Sequence, residues 1–323
     1  MINYKDLFEK TRIYKTIDND LRLDNLSHSY LIITDDNEVK ANLSALLLAR
    51  IFCDSKNQPC FICPSCKKVL SQTHTDIHYY SGKITVDDVS EIIEKSALKS
   101  YSTDKNIFVL YDLHEMNITA QNKFLKTLEE PQKGVLFLMF ASDPSMVLPT
   151  VLSRSQVYQF EKFGAREIEK QLSSQFARED AAIAASISGG KLETAVKYLT
   201  DEEYRAMYNL VFDIINNMKK SSDILEYYEK IDKHKKRLKE FLELFYTVVR
   251  DIMVIQCADI NFVLCKNRIN DIMVAASSIS LKAATQILDL IVKMRRRLHY
   301  NGNATSIIDE LLFSYLEVKA LCR

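Results

Sequence analysis

Four cysteines crowd one stretch, CDSKNQPCFICPSCKK, at Cys53, Cys60, Cys63 and Cys66. The spacing C-x6-C-x2-C-x2-C brings three thiols within seven residues and adds a fourth from the end of the preceding helical pattern. Such a donor set can close a tetrahedral Cys₄ zinc site. Disulfides or free thiols are the alternatives, and reducing cytosolic chemistry disfavours the disulfides. A closed four-sulfur site staples a fold more often than it catalyses. A zinc ribbon presenting bases or phosphates to the protein would have only Lys56, Lys67 and Lys68 beside it. His74 is a spare ligand by type but reads as a loop residue, while Cys257, Cys265 and Cys322 read as buried helix cysteines.

A second constellation begins at SYLIITDDNEVKANLSALLLARIFC, Ser29 to Cys53, where an apolar run, a loop and a helical pattern follow in the order that builds phosphate sites. A phosphate loop needs glycines, so that backbone N–H groups can turn onto phosphate oxygens, and a lysine to reach the terminal phosphates. The six glycines are Gly82, Gly134, Gly164, Gly189, Gly190 and Gly302, and no two have the G-x-x-x-x-G-K-[ST] spacing. Asp35, Asp36, Asn37 and Glu38 stand there instead, and their carboxylates oppose a polyphosphate. Further on, the run in NIFVLYDLHEMN ends in Asp112, where a Walker B strand places its Mg²⁺-holding carboxylate. Leu113 occupies the neighbouring position, where an active ATPase usually carries the glutamate that orients water.

The elements that would position these residues alternate up to about Phe163. Apolar runs rich in β-branched and aromatic residues predict strands at Tyr30–Thr34, Asp76–Tyr80, Ile107–Tyr111, Val135–Ala141 and Val157–Phe160. Helical periodicity predicts helices over Val39–Phe52, Asp87–Lys99 and Thr119–Glu130, the last capped by Thr119 and stopped before Pro131. Strands separated by helices imply a mostly parallel sheet covered on both faces, an α/β domain over residues 1–164. Residues 165–202 read as a small helical unit and 203–323 as a larger all-helical one, with KRLKEFLELFYTVVRDIMVIQ and AATQILDLIVKMRRRL as its clearest amphipathic pieces.

The blocks LSHSYLI, AQNKFLKTLEEP, FLMFASDPSMVLPTVLSRSQVYQF and RRRLHYNGNATSIIDELL together resemble the AAA+ clamp-loader family of bacterial DNA polymerase III. The absent phosphate loop points, within that family, to a subunit that does not hydrolyse ATP. The resemblance implies an AAA+ (P-loop-type) parallel-sheet domain with a zinc insertion at 53–66, a small helical lid over 165–202 and a C-terminal helical collar over 203–323. It implies that Arg154 is an arginine finger supplied in trans, that the family's Ser-Arg-Cys is here Ser153-Arg154-Ser155, and that the four cysteines hold zinc. Glu193, in GGKLETA, stands where active relatives carry a second sensor arginine, and Ser142 matches the first sensor. Partners implied are the gamma/tau motor subunits, the delta subunit, the sliding clamp and, through the complex, primed DNA.

Composition bounds the alternatives. In 323 residues, Lys+Arg and Asp+Glu balance at 43 each, so no overall basic field drives nonspecific nucleic-acid binding. The runs KIDKHKKRLKE and KMRRRLHY read as solvated helix faces or subunit contacts. The N-terminus is charged throughout and no apolar run approaches a membrane span, which reads as a soluble, cytoplasmic chain. Beside the non-ATPase subunit stand two other readings: an ATP-binding motor-like subunit with an unusual phosphate loop, and a zinc-based nucleic-acid-binding module on an inert scaffold.

Overall fold

The computed structural model describes residues 4–55, 58–101, 103–300 and 302–321, and Lys56 and Cys322 lie outside them. The chain divides into two compact units, Met1–Phe163 and Gly164–Arg323.

The first unit is built on five strands: β1 (Ser29–Ile33), β2 (Ile77–Tyr80), β3 (Asn106–Leu110), β4 (Val135–Ala141) and β5 (Gln156–Gln159). They form one sheet in the order β2-β3-β4-β1-β5, and every pairing is parallel. Strands β1, β3 and β4 are buried along their whole length, as expected of strands covered on both faces, whereas the edge strands β2 and β5 are partly exposed. Side chains alternate between faces. Leu31, Ile33, Phe108, Leu110, Phe137 and Met139 meet Ile92 of helix Val86–Ala97 and Phe124 and Leu128 of helix Ile118–Glu129. On the other face, Tyr111 stacks on Phe140 and its hydroxyl meets Ser44 of helix Asn37–Phe52 at 2.9 Å.

Each predicted strand and helix of this unit is present, with ends shifted by one or two residues. The cap of helix Ile118–Glu129 is Asn117, whose side chain accepts from the Ala120 N–H; Thr119 lies exposed inside the first turn. The helix does stop before Pro131. The charged N-terminus contains an element that its charges conceal, helix Arg12–Arg22, capped by Thr11 and burying Ile13, Tyr14 and Ile17. Asp18, on this helix, takes ion pairs from Arg22 at 2.8 Å and from Arg50 of helix Asn37–Phe52 at 2.6 Å.

The second unit is helical throughout, from Ala165 to Leu321. Its core surrounds helix Leu238–Cys257, where Phe241, Leu242, Phe245, Val249 and Ile252 are fully buried. Ile187, from the earlier small helices, belongs to the same core, with Ile183 and Tyr198 packed against it. The carboxylate of fully buried Asp251 accepts from the N–H groups of Leu264 at 3.0 Å and Cys265 at 2.8 Å, pinning the loop that follows this helix. Ser186 donates to the carbonyl of the same Leu264 at 2.5 Å. Cys265 is buried as expected but lies in this loop, and Cys257 is exposed at the helix end. Among the described residues no single helix is long and apolar enough to cross a membrane.

Gly134 sets the entry to β4. Its φ is +86°, and a Cβ there would stand 2.2 Å from the Asp104 carbonyl oxygen, a backbone atom that cannot rotate away. Gly134→Ala is expected to destabilise the sheet by about 1–3 kcal/mol, read as a lower denaturation midpoint; an unchanged midpoint would mean that this turn relaxes freely.

Candidate functional site

In a parallel sheet all strands end at the same edge, and the loops that leave that edge form the usual ligand position of open α/β folds. Here the loops after β1 and β3 carry Asp36 and Asp112. Asp36 is buried and caps helix Asn37–Phe52, its Oδ1 accepting from the Val39 N–H at 3.1 Å while its own N–H donates to Thr34 Oγ1 at 3.3 Å. The helix N-terminus, whose free N–H groups and dipole would attract phosphate, is thus served by a carboxylate of its own chain. The positive-φ residues among those described all lie outside Thr34–Asn37, so this loop makes none of the alternating turns that aim successive N–H groups at an anion. Asp35 is exposed beside it.

Asp112 follows β3 and is held from two sides. Oδ1 pairs with Lys40 Nζ at 2.9 Å, and Oδ2 accepts from the Gly82 N–H at 2.9 Å. Lys40 is the fourth residue of the capped helix, and its side chain is only 7% exposed. Burial works against the ionised carboxyl, but the Gly82 N–H, the Lys40 ammonium and nearby His114 outweigh it and hold Asp112 below the usual carboxylate range. Both carboxylate oxygens of Asp112 are therefore engaged by groups of its own chain. Leu113 is fully buried in the core of the β3–β4 face, so the position of a water-orienting glutamate is given to packing. Ser142, after β4, donates its N–H to His114 Nδ1 at 3.4 Å, and the following turn is capped by Asp143.

Arg154 lies at the opposite edge. It sits in the turn between helix Pro149–Leu152 and the start of β5, so the length of the sheet, about 16 Å for the five residues of β1, separates its backbone from the Asp36–Asp112 edge. The flanking serines fix the turn: Ser155 Oγ donates to the Val151 carbonyl at 3.0 Å and receives a bond from Ser29 Oγ, at the start of β1, at 2.9 Å. Serine thus does, by hydrogen bonding, what a thiol would do more weakly. The guanidinium folds back: Nη1 donates to Thr150 O at 2.9 Å and Ser153 Oγ at 3.3 Å, and Nη2 pairs with Glu129.

The four cysteines converge as their spacing predicts. Cys53 follows helix Asn37–Phe52 as its C-cap, Cys63 caps helix Pro64–Leu70, and Cys66 is buried in the first turn of that helix. All four Sγ atoms lie within 4.8 Å of one another, and the Cys53–Cys60 pair is 3.5 Å apart. A tetrahedron with metal–sulfur bonds of about 2.3 Å has edges of about 3.8 Å, so the donor set fits a metal ion. Backbone N–H groups of Cys60, Cys63 and Cys66 each point at the preceding ligand's sulfur at 3.4 Å, a ladder that favours thiolates. The N–H groups of Ile62 and Cys63 lower the Cys60 thiol to about 6. His74 stands outside the cluster, buried against the Phe52 ring with centroids 4.3 Å apart. Lys67 and Lys68 are exposed.

Glu193 belongs to the second unit, where its carboxylate pairs with Lys197 at 2.6 Å. Lys197 also faces Glu240 at 3.6 Å, and Arg237 links Glu240 to Asp201. Glu193 therefore has a local structural use.

The all-parallel sheet order and the helices that cover it give a AAA+-type fold, with Asp36 and Asp112 both engaged by groups of their own chain. A family model described as DNA polymerase III, delta subunit, matches residues 9–164. The DNA polymerase III subunit delta' of Bacillus subtilis (strain 168) is 24% identical over 329 residues, covering 98% of this chain and 99% of the relative. The corresponding subunit of Haemophilus influenzae is 32% identical over 136 residues, covering 41% of this chain and 42% of the relative. Among solved structures, a DNA polymerase III gamma subunit-related protein from Thermotoga maritima shares the fold with a TM-score of 0.56 at 14% identity, over 94% of this chain and 99% of its own. The chain is thus similar over nearly its whole length to a DNA polymerase III delta-prime subunit, and over its first unit to the family model of that clamp-loader subunit.

The Lys40–Asp112 pair yields a pH-resolved expectation. Asp112→Asn should cost about 1.5–3 kcal/mol at neutral pH, because it strands a buried ammonium. Since the folded carboxyl titrates below its unfolded value, this contribution is complete above about pH 4 and disappears as pH falls through the folded value. Denaturation curves of the two proteins should therefore converge in acid. A gap that persists at the lowest pH would show that charge is not its source.

Proposed function

We propose that this chain is a non-ATPase subunit of a bacterial DNA polymerase III clamp loader, of delta-prime type, which positions the motor subunits and supplies Arg154 to a neighbour's ATP. The observation that carries the reading is the separation of two sheet edges. The nucleotide edge is filled by the Lys40–Asp112 pair and by the cap from Asp36, while Arg154 stands at the other edge, out of reach of its own loop. An arginine so placed can serve only a nucleotide held by another subunit. Its planar guanidinium would neutralise charge developing on the terminal phosphoryl oxygens.

On this reading residues 165–202 are the lid and 203–323 the collar through which the chain joins gamma/tau and delta subunits. The assembly opens a sliding clamp and places it on primed DNA in the cytoplasm. Zinc is the metal that best suits four thiolates at tetrahedral spacing. Its part is structural, joining the end of helix Asn37–Phe52 to helix Pro64–Leu70. The ATP-binding motor reading would require Lys40 to leave Asp112 and the Asp36 cap to yield to phosphate, two costs without a visible return.

The purified chain is expected to carry one zinc. Cys63→Ser should lower zinc content measured by atomic emission and expose residues 53–66 to proteolysis, with the sheet still folded because its core lies elsewhere. Full occupancy in that variant would count against the assignment.

Arg154→Ala tests the main reading. Complex assembly and zinc content should be unaffected, while clamp- and DNA-stimulated ATP turnover falls by about 10³ or more at the one site this subunit faces. Because other sites would keep their own arginines, total turnover drops only in part, and pre-steady-state clamp loading is the sharper measurement. Arg154→Lys should recover little, since an ammonium lacks the planar fork. A complex containing Arg154→Ala that loads clamps at the original rate would reduce the subunit to a scaffold.

A further inference from the structure

Arg154 is not extended in the isolated chain. Nη1 turns back onto the Thr150 carbonyl at 2.9 Å, one of the C-terminal carbonyls of a four-residue helix, and onto Ser153 Oγ at 3.3 Å. Nη2 is taken by Glu129. A guanidinium in this posture spends both Nη groups on its own chain, so binding a phosphate through them means giving up these contacts.

Glu129 is unusual for where it stands. It is the last residue of helix Ile118–Glu129, followed by Glu130, at the end where the helix dipole disfavours carboxylates. The helix gains nothing from an anion at that position, and Lys126 is the only basic residue in its last turn. What Glu129 does contact is Arg154. Both side chains are partly open to water, 46% exposed for Glu129 and 33% for Arg154. An ion pair that open is weak and exchangeable, too weak to be explained as a structural clamp. A terminal phosphate carrying more than one negative charge would compete with it well.

We propose that Glu129 parks the Arg154 guanidinium in the unassembled chain and releases it when a neighbouring subunit offers the terminal phosphates of a nucleoside triphosphate. Glu129 is then a positioning residue whose carboxylate competes with phosphate for one guanidinium. This rests on the reading of Arg154 given above. The parked state keeps a long cationic side chain from being occupied by stray anions, and it makes engagement depend on the strength of the trans anion.

The test uses Glu129→Gln, which keeps the side chain's shape and removes its charge. In the full chain, modification of Arg154 by phenylglyoxal, followed by peptide mass analysis, should speed up by about two- to fivefold, the span that an exposed ion pair permits. Arg178, which is 88% exposed, serves as the internal reference and should not change. In the assembled complex, Glu129→Gln should lower the KM for ATP by a similar factor with kcat unchanged. Combined with Arg154→Ala, it should behave as Arg154→Ala alone. An unchanged modification rate at Arg154 overturns the parking role. If Arg154→Ala lowers turnover while Glu129→Gln leaves both modification rate and KM untouched, parking fails and the finger reading stands. If Arg154→Ala changes nothing in the complex, the finger reading fails, and parking for a trans phosphate falls with it.

Discussion

Parallel strand direction governs this molecule's first unit. Because β1 to β5 all run the same way, every loop that follows a strand opens at one edge and every segment that precedes a strand lies at the other. Asp36 and Asp112 are post-strand residues; Arg154 is a pre-strand residue. No side-chain rearrangement within the chain can join them. Post-strand loops and pre-strand turns therefore carry their side chains at opposite edges of the sheet. Either set can change without disturbing the other.

The post-strand edge poses a physical problem, which the chain solves with its own atoms. It holds a helix N-terminus whose N–H groups need acceptors and a strand-end carboxylate that needs a counter-charge. Asp36 answers the first by capping the helix. Lys40, one turn further along, answers the second by pairing with Asp112. Both come from helix Asn37–Phe52 and its cap, so a single element supplies the anion and the cation at this edge. Buried charge is costly unless paired, and here the pairing is supplemented by the Gly82 N–H.

The same economy of contacts explains why the cysteine cluster and the arginine turn hold their shape. In the cysteine segment Ile62 is turned out to solvent, and the four sulfurs converge while Ser65 Oγ donates to Asp54 Oδ2 at 2.9 Å. The turn carrying Arg154 is held by the Ser29–Ser155 bond, so the backbone beside that residue is tied to β1 while its side chain keeps exchangeable partners. In the helical unit, Asp251 and Ser186 converge on Leu264, and Ile187 joins the core around helix Leu238–Cys257, so the small helices and the larger bundle share one interior.

The sequence alone determined what depends on neighbours along the chain: the strands and helices of the first unit, the missing glycines, the four-cysteine spacing and the boundary near Gly164. These follow from local periodicity and backbone chemistry, which act over a few residues. Helix Arg12–Arg22 escaped because its charged face outnumbers the buried Ile13, Tyr14 and Ile17, although Thr11 was a legible cap. Asn117 rather than Thr119 caps the later helix because the cap is chosen by which backbone N–H groups the fold leaves open. Tertiary structure alone decided that Lys40 meets Asp112 across 72 positions, that Ser29 meets Ser155 across 126, and that Glu129 holds Arg154. Those pairings depend on strand order, and strand order is set by how the apolar faces pack together, a property of the whole domain that no short window of sequence contains.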